Sequence, residues 1–300
     1  MTNPQTFQIQ EISAHPGPIP GQGTRREEEV CKYIDVTTCI GCKACQVACH
    51  QWNGLPAELA EQPSATRPGK SLPITGNSYD NTGSFSDVNW RHVKFIEKSE
   101  RPDRRDLSWL MMSDVCKHCV NAPCLEVCPT GAIIRTEFDS VFIQSSVCNG
   151  CRACVSACPF GVIHMGGTEN AGQGTAKKCT LCYDRLQNGL QPACAAACPT
   201  ESIQFGPIEE LKMRAQKRVV ALQASGQPKA QLYGADERIL GGLNSFYLLV
   251  DEPETYGLPR NPQLPSRSVR ASSLVSLGSA ILLGLTALIS FRRRGEEHDS

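Results

Sequence analysis

Sixteen of the seventeen cysteines in this chain fall into four groups of four, and that grouping limits what the chain can fold around. The quartets are Cys39, Cys42, Cys45, Cys49; Cys116, Cys119, Cys124, Cys128; Cys148, Cys151, Cys154, Cys158; and Cys179, Cys182, Cys194, Cys198. Only Cys31 is left over, at a position that reads as a small buried residue opening a strand. A disulfide scaffold fits poorly, because the count is odd and 300 residues is long for a fold that depends on bridges. Tight local groups of thiolates suit a soft metal centre. A zinc-stabilised, non-redox scaffold would call for well-separated pairs or pairs completed by histidine, and only six histidines occur. The run C-x2-C-x2-C-x3-C in the first and third quartets points to iron–sulfur clusters instead. Three thiolates come from one loop, and the fourth, on the following helix, serves a neighbouring cluster. Three quartets end in Cys-Pro (Cys128-Pro129, Cys158-Pro159, Cys198-Pro199), where proline cannot continue a helix and turns the chain out of the site. The first ends in Cys49-His50.

Sixteen ligands make four [4Fe–4S] clusters if every fourth cysteine crosses over. Cluster 1 takes Cys39, Cys42, Cys45 and Cys198, and cluster 2 takes Cys179, Cys182, Cys194 and Cys49. Cluster 3 takes Cys116, Cys119, Cys124 and Cys158, and cluster 4 takes Cys148, Cys151, Cys154 and Cys128. Quartets two and three are only 19 residues apart, across the hairpin-like AIIRTEFDSVFIQ, which is the layout of a small two-cluster ferredoxin. Quartets one and four flank that unit. The expected fold is α+β: two ferredoxin-like two-cluster modules, one inserted in the other, plus a single C-terminal transmembrane helix.

The boundaries follow from composition and pattern. Residues 1–30 form an extended polar arm; 31–55 and 171–206 form the outer module, and 91–170 the inserted one. Residues 56–90 form a long Pro-, Gly- and Ser-rich loop. Segment 207–270 holds a helix, a strand and a proline-rich connection. Strand signals fall at Lys32–Val36, Val93–Glu97, Ser108–Met112, Ala132–Thr136, Val141–Gln144 and Phe246–Asp251. Ile208, Leu211, Ala215, Val219 and Leu222 recur at helical spacing, with Gly226 as a stop.

Between Arg270 and Arg292 lie 21 uncharged residues, ASSLVSLGSAILLGLTALISF. At about 1.5 Å per residue they span the roughly 30 Å core of a bilayer, so 271–291 reads as a transmembrane anchor and 292–300 as its tail. Ser272, Ser276, Ala280 and Gly284 make a small-residue stripe suited to close approach by a partner helix. Arg292–Arg294 outweigh Arg267 and Arg270, which favours a cytoplasmic tail and a periplasmic cluster domain in the inner membrane. The N-terminus lacks the apolar core of a secretory signal, and Arg25-Arg26 is followed by three glutamates, so export as a folded passenger of a partner is expected.

Basic and acidic residues balance at thirty each, which argues against a nucleic-acid partner. No catalytic constellation emerges, and His50, His118 and His164 read as packing or surface residues. Fully cysteinyl clusters have no open coordination position, so the chain is an electron wire and no enzyme on its own. Lys43, Lys117, Arg152, Lys177 and Lys178 lie beside cysteines, where they either raise cluster potentials or face solvent.

The quartets in this order, with eleven residues between Cys182 and Cys194, resemble the four-cluster iron–sulfur subunits of membrane-bound molybdenum oxidoreductases. YIDVTTCIGCKACQVACHQWN, KCTLCYDR, PACAAACPT, LYGADERILGG and YGLP resemble the beta subunit of respiratory formate dehydrogenase more closely. That resemblance implies a heterotrimer. A subunit with a molybdenum or tungsten bis-pterin site oxidises formate, this chain carries the electrons, and a membrane cytochrome b subunit reduces quinone. The same wire role in a hydrogenase or another molybdenum oxidoreductase is the alternative, and a freely diffusing ferredoxin is disfavoured by the anchor and the long loop.

Overall fold

The computed structural model describes residues 29–55, 84–99, 107–166, 174–266 and 278–287. They belong to two units, 1–262 and 263–300. The N-terminal arm and most of the 56–90 loop lie outside the described residues.

The first unit is organised around strand β1 (Val30–Asp35), which is buried on both faces from Cys31 onward. Helix α1 (Ala44–Trp52) follows, then the antiparallel pair β2 (Arg91–Lys98) and β3 (Ser108–Val115), in register from Arg91 opposite Val115 to Lys98 opposite Ser108. Short α2 (Pro123–Glu126) leads to β4 (Ile133–Arg135) and β5 (Val141–Ile143), which pair across the turn at Glu137–Asp139. Next come α3 (Ala153–Ala157) and a second small pair, β6 (His164–Gly166) with β7 (Thr175–Lys177). The chain returns through α4 (Tyr183–Gln187), α5 (Ala193–Ala196) and β8 (Ile203–Pro207) to the long helix α6 (Ile208–Ala224), then β9 (Gln231–Tyr233) and β10 (Ser245–Leu249).

A four-stranded mixed sheet in the order β8-β1-β10-β9 closes this circuit, with β1 parallel to β10 and antiparallel to β8. Segment 207–249 thus shares a sheet with β1, and nothing local in the sequence marks that long-range pairing. Helix α6 buries Leu211, Ala215, Val219 and Leu222 and packs against β1, β8 and β9. Burying each of the larger side chains stabilises the unit by about 1.5–3 kcal/mol. Beneath them Tyr33 stacks on Phe246, with centroids 5.4 Å apart. Cys31 is fully buried here, and burial pushes its thiol up to about 12.

The segment LYGADERILGG, singled out above only by resemblance, has a structural task. Val120 and Asn121 donate backbone N–H groups to Gly242 and Leu240, Asn244 donates to His118, and Ser245 donates to Lys117. The loop of quartet two is thereby stitched to the start of β10. Gly234 makes the approach possible: at φ +82° a Cβ there would lie 2.2 Å from Leu243 Cδ1.

In the second unit a helix covers 278–287, with Ile281, Leu282, Leu283 and Leu285 more than half exposed. The transmembrane expectation for 271–291 gains no support at this level, since among the described residues no helix is long and apolar enough to cross a membrane. The remainder of that span, including Ser272 and Ser276, lies outside the described residues, whereas Ala280 and Gly284 are on the helix and exposed.

Candidate metal centres

The cysteine loops owe their shape to residues in the left-handed region. In quartet one Gly41 (φ +65°) and Lys43 (φ +59°) precede α1, and in quartet three Arg152 (φ +66°) occupies the position equivalent to Lys43 before α3. His118 serves similarly in quartet two, and Leu181 with Cys182 in quartet four. Alternating backbone handedness turns successive N–H groups inward and forms the concave nests that hold anions and iron–sulfur clusters. Gly41 has a second duty, because a Cβ there would meet Phe95 Cε1 at 2.7 Å and Met111 Sδ at 2.8 Å where the loop presses on β2 and β3.

Two cavities lie within residues 116–176. One is lined by Cys116, Cys119, Cys124 and Cys158; the other by Cys128, Cys148, Cys151 and Cys154. Each takes three thiols from one quartet and the fourth from its neighbour. In the outer pair α1 packs against α5. Burial raises the Cys49 thiol, and the like-charged neighbours that raise it further are Cys179, Cys194 and Cys182. Cys39 instead has Cys198 and Cys42 as its sulfur neighbours, and Cys45 has Cys194 and Cys39. Cys45 and Cys194, from different quartets, therefore face each other between the two groups. Among the described residues no three His, Cys, Asp or Glu side chains converge tightly enough for a single metal ion. Thiols ranged around a void suit a multi-iron body better than one tetrahedral ion.

The helix ends explain the Cys-Pro pattern. Cys158 is extended (φ −74°, ψ 110°), as a residue preceding proline prefers, so α3 stops at five residues, and α2 and α5 stop at four. Cys49 has no proline behind it and sits inside the nine-residue α1. The extra turn carries Trp52 to α4, where its indole Nε1 donates to Asp184 (2.8 Å) under the Arg185 guanidinium. His50 is simply part of that turn.

Buried cations surround the thiols. Lys178 donates to the carbonyls of Val141 and Cys179, and Lys117 lies between the rings of Phe160 and Tyr247. Of the five cations flagged from sequence, these two are buried. Arg152 is exposed, Lys177 reaches Ser145, and Lys43 covers the Phe95 ring. Two more carry no mark in the cysteine pattern, because they lie on strands outside the quartets: Lys32 on β1, whose Nζ is 3.7 Å from Cys179 Sγ, and Arg91 on β2. Burial would raise the Cys179 thiol, but Lys32 and Arg91 lower it on balance, the direction a metal ligand requires. His118 is neutral, since burial and nearby Lys178 hold it well below its ordinary range. Its Nδ1 accepts from Val141 N–H, while Nε2 has no protein partner and the ring lines the cavity of Cys116 and Cys158. An acceptor supplied by a cluster would complete it, so the residues present fit the group the motifs imply.

Lys117 is held by Asp114, a fully buried carboxylate that also pairs with Lys94 (2.7 Å) and accepts from Tyr247 (3.1 Å). Burial would raise this carboxyl, but Lys117 and Lys94 hold it down to about 2. Asp114→Ala would leave Lys117 uncompensated in the interior, at a cost of about 3–5 kcal/mol. For a unit of this size that corresponds to a fall of roughly 6–20 °C in Tm of the iron-loaded protein. A melt displaced by less than about 2 °C would show that Asp114 does not balance this charge.

Comparison with known proteins follows the same lines. Residues 38–132 and 107–208 each match a family described as a 4Fe-4S dicluster domain. The formate dehydrogenase iron-sulfur subunit of Haemophilus influenzae is 38% identical over 289 residues, covering 95% of this chain and 86% of that protein. The chain belongs to the formate dehydrogenase iron–sulfur subunit family. The formate dehydrogenase-O iron-sulfur subunit of Escherichia coli is 40% identical over 266 residues, covering 86% of this chain and 81% of that one. The thiosulfate reductase electron transfer subunit of Salmonella typhi is 34% identical, spanning 68% of this chain and 90% of its own length. As a member of this family the chain carries four [4Fe–4S] clusters and is an electron-transfer subunit, not a catalytic one. Bound clusters supply one-electron chemistry; the polypeptide supplies thiolates, backbone nests, buried cations and exclusion of water.

Proposed function

We propose that this subunit passes electrons from a formate-oxidising molybdenum or tungsten bis-pterin subunit to a membrane cytochrome b subunit that reduces quinone. The observation that carries the formate reading is coverage: the match to the Haemophilus formate dehydrogenase subunit runs along 95% of the chain, whereas the thiosulfate reductase match covers 68%. Ligands are assigned as the crossed sets given above, clusters 1 and 2 in the outer module and 3 and 4 in the inserted one. Lys178, which contacts Cys179 and Val141 at once, lies where the two modules join, and this supports a linear order 1, 2, 3, 4. Cys42 and Cys151 are the exposed cysteines, one at each end of that order, and they mark where electrons enter and leave. At the Cys42 end Ile40 and Val47 are about 60% exposed, an apolar surround suited to a protein partner.

The anchor belongs to the same proposal. Segment 271–291 spans the inner membrane once, with the arginines at 292–294 cytoplasmic and the clusters periplasmic, and the face of Ser272, Ser276, Ala280 and Gly284 packs on the cytochrome. Support comes from the apolar run itself and from the exposed leucines of 278–287. The test is anaerobic purification of the native complex, with formate-to-quinone activity assayed and the large subunit identified by mass. Formate-driven quinone reduction is expected; a hydrogen-oxidising large subunit and no formate activity would overturn the reading.

A further inference from the structure

Arg91 is among the largest fully buried side chains of the protein, at 1% exposure. Its Nη1 donates to Ser113 Oγ at 2.6 Å. Ser113 Oγ lies 3.1 Å from Cys45 Sγ, and toward a ligating thiolate, which carries no proton, the hydroxyl is the donor. Nε and Nη2 have no partner in the protein. The thiols that surround the guanidinium are Cys194, Cys45, Cys179 and Cys49, from both outer ligand sets. Leaving charged N–H groups buried without acceptors costs several kcal/mol, so a stable fold must supply acceptors that the polypeptide itself lacks.

We infer that Arg91 is a positioning residue shared by the two outer clusters, donating its free N–H groups to their sulfurs and setting their potentials together. The inference rests on the crossed ligand sets proposed above. Arg91 itself gains and loses neither electron nor proton. Its fixed charge stabilises the extra electron on whichever of the two clusters holds it, so the pair stays matched while one electron moves between them. Ser113 extends this effect to cluster 1 alone, through Cys45.

The test is a potentiometric titration of the anaerobic, iron-loaded protein followed by electron paramagnetic resonance. Arg91→Met is expected to weaken reduction of two clusters at least tenfold, about 59 mV for a one-electron couple, and to leave the other two unmoved. Arg91→Lys keeps a charge but cannot fork, so a shift of at least threefold in the same two clusters is expected; it also decides the matter if methionine at 91 costs iron. Ser113→Ala is expected to shift only one of them. Unmoved potentials in Arg91→Lys and Arg91→Met, or an equal shift in all four clusters, would overturn the inference. Cys45→Ser and Cys49→Ser separate the two levels of argument. If both perturb the same cluster, the ligand sets fail and the inference with them; if they perturb different clusters while Arg91 variants shift nothing, the inference alone fails.

Discussion

Stripping the iron with a chelator under oxidising conditions is expected to abolish the cooperative melt of the cluster region and its near-ultraviolet circular dichroism. The elements there cannot hold themselves together: α2 and α5 have four residues, α3 and α4 five, and the pairs β4–β5 and β6–β7 only three residues per strand. Helices and hairpins that short are unstable alone. Without metal, the two cysteine-lined cavities lose their contents and their walls lose packing partners. Burial pushes Cys124 and Cys182 up to about 12, so these two thiols stay protonated at neutral pH when no metal is bound. A structural metal site contributes on the order of 10 kcal/mol, comparable with the whole net stability of a domain at about 5–15 kcal/mol. The four-stranded sheet under α6 has an apolar core of its own, so residual helix and strand signal is expected from it. An iron-free protein that melts like the loaded one would contradict this dependence.

The parts of this fold that were legible in the sequence are those encoded locally. Cysteine spacing marked the four loops, the recurrence of Leu211, Ala215, Val219 and Leu222 marked α6, and the alternation in AIIRTEFDSVFIQ marked β4 and β5. What remained hidden depends on contacts between distant segments. Strand β10 lies parallel to β1 across more than two hundred residues, and LYGADERILGG is a seam whose purpose appears only when Gly242 and Leu240 meet Val120 and Asn121. Lys32 and Arg91 are spaced from the quartets as any strand residue would be, and only burial beside the thiols reveals them. Cys49-His50 was visible as an exception, and its reason became clear in the contact of Trp52 with Asp184.

The second large effect concerns Cys49, and it tests the crossed arrangement most directly. Cys49 lies among Cys179, Cys182 and Cys194, while Cys39 lies beside Cys42 and Cys198. Cys49→Ala and Cys39→Ala are each expected to lower iron from about sixteen to about twelve atoms per chain, through loss of different clusters. The decisive measurement is iron content together with reduced-state electron paramagnetic resonance of the two variants side by side. Two spectra that each lack a different signal are expected; two spectra lacking the same signal, with the other three clusters intact, would contradict the crossing.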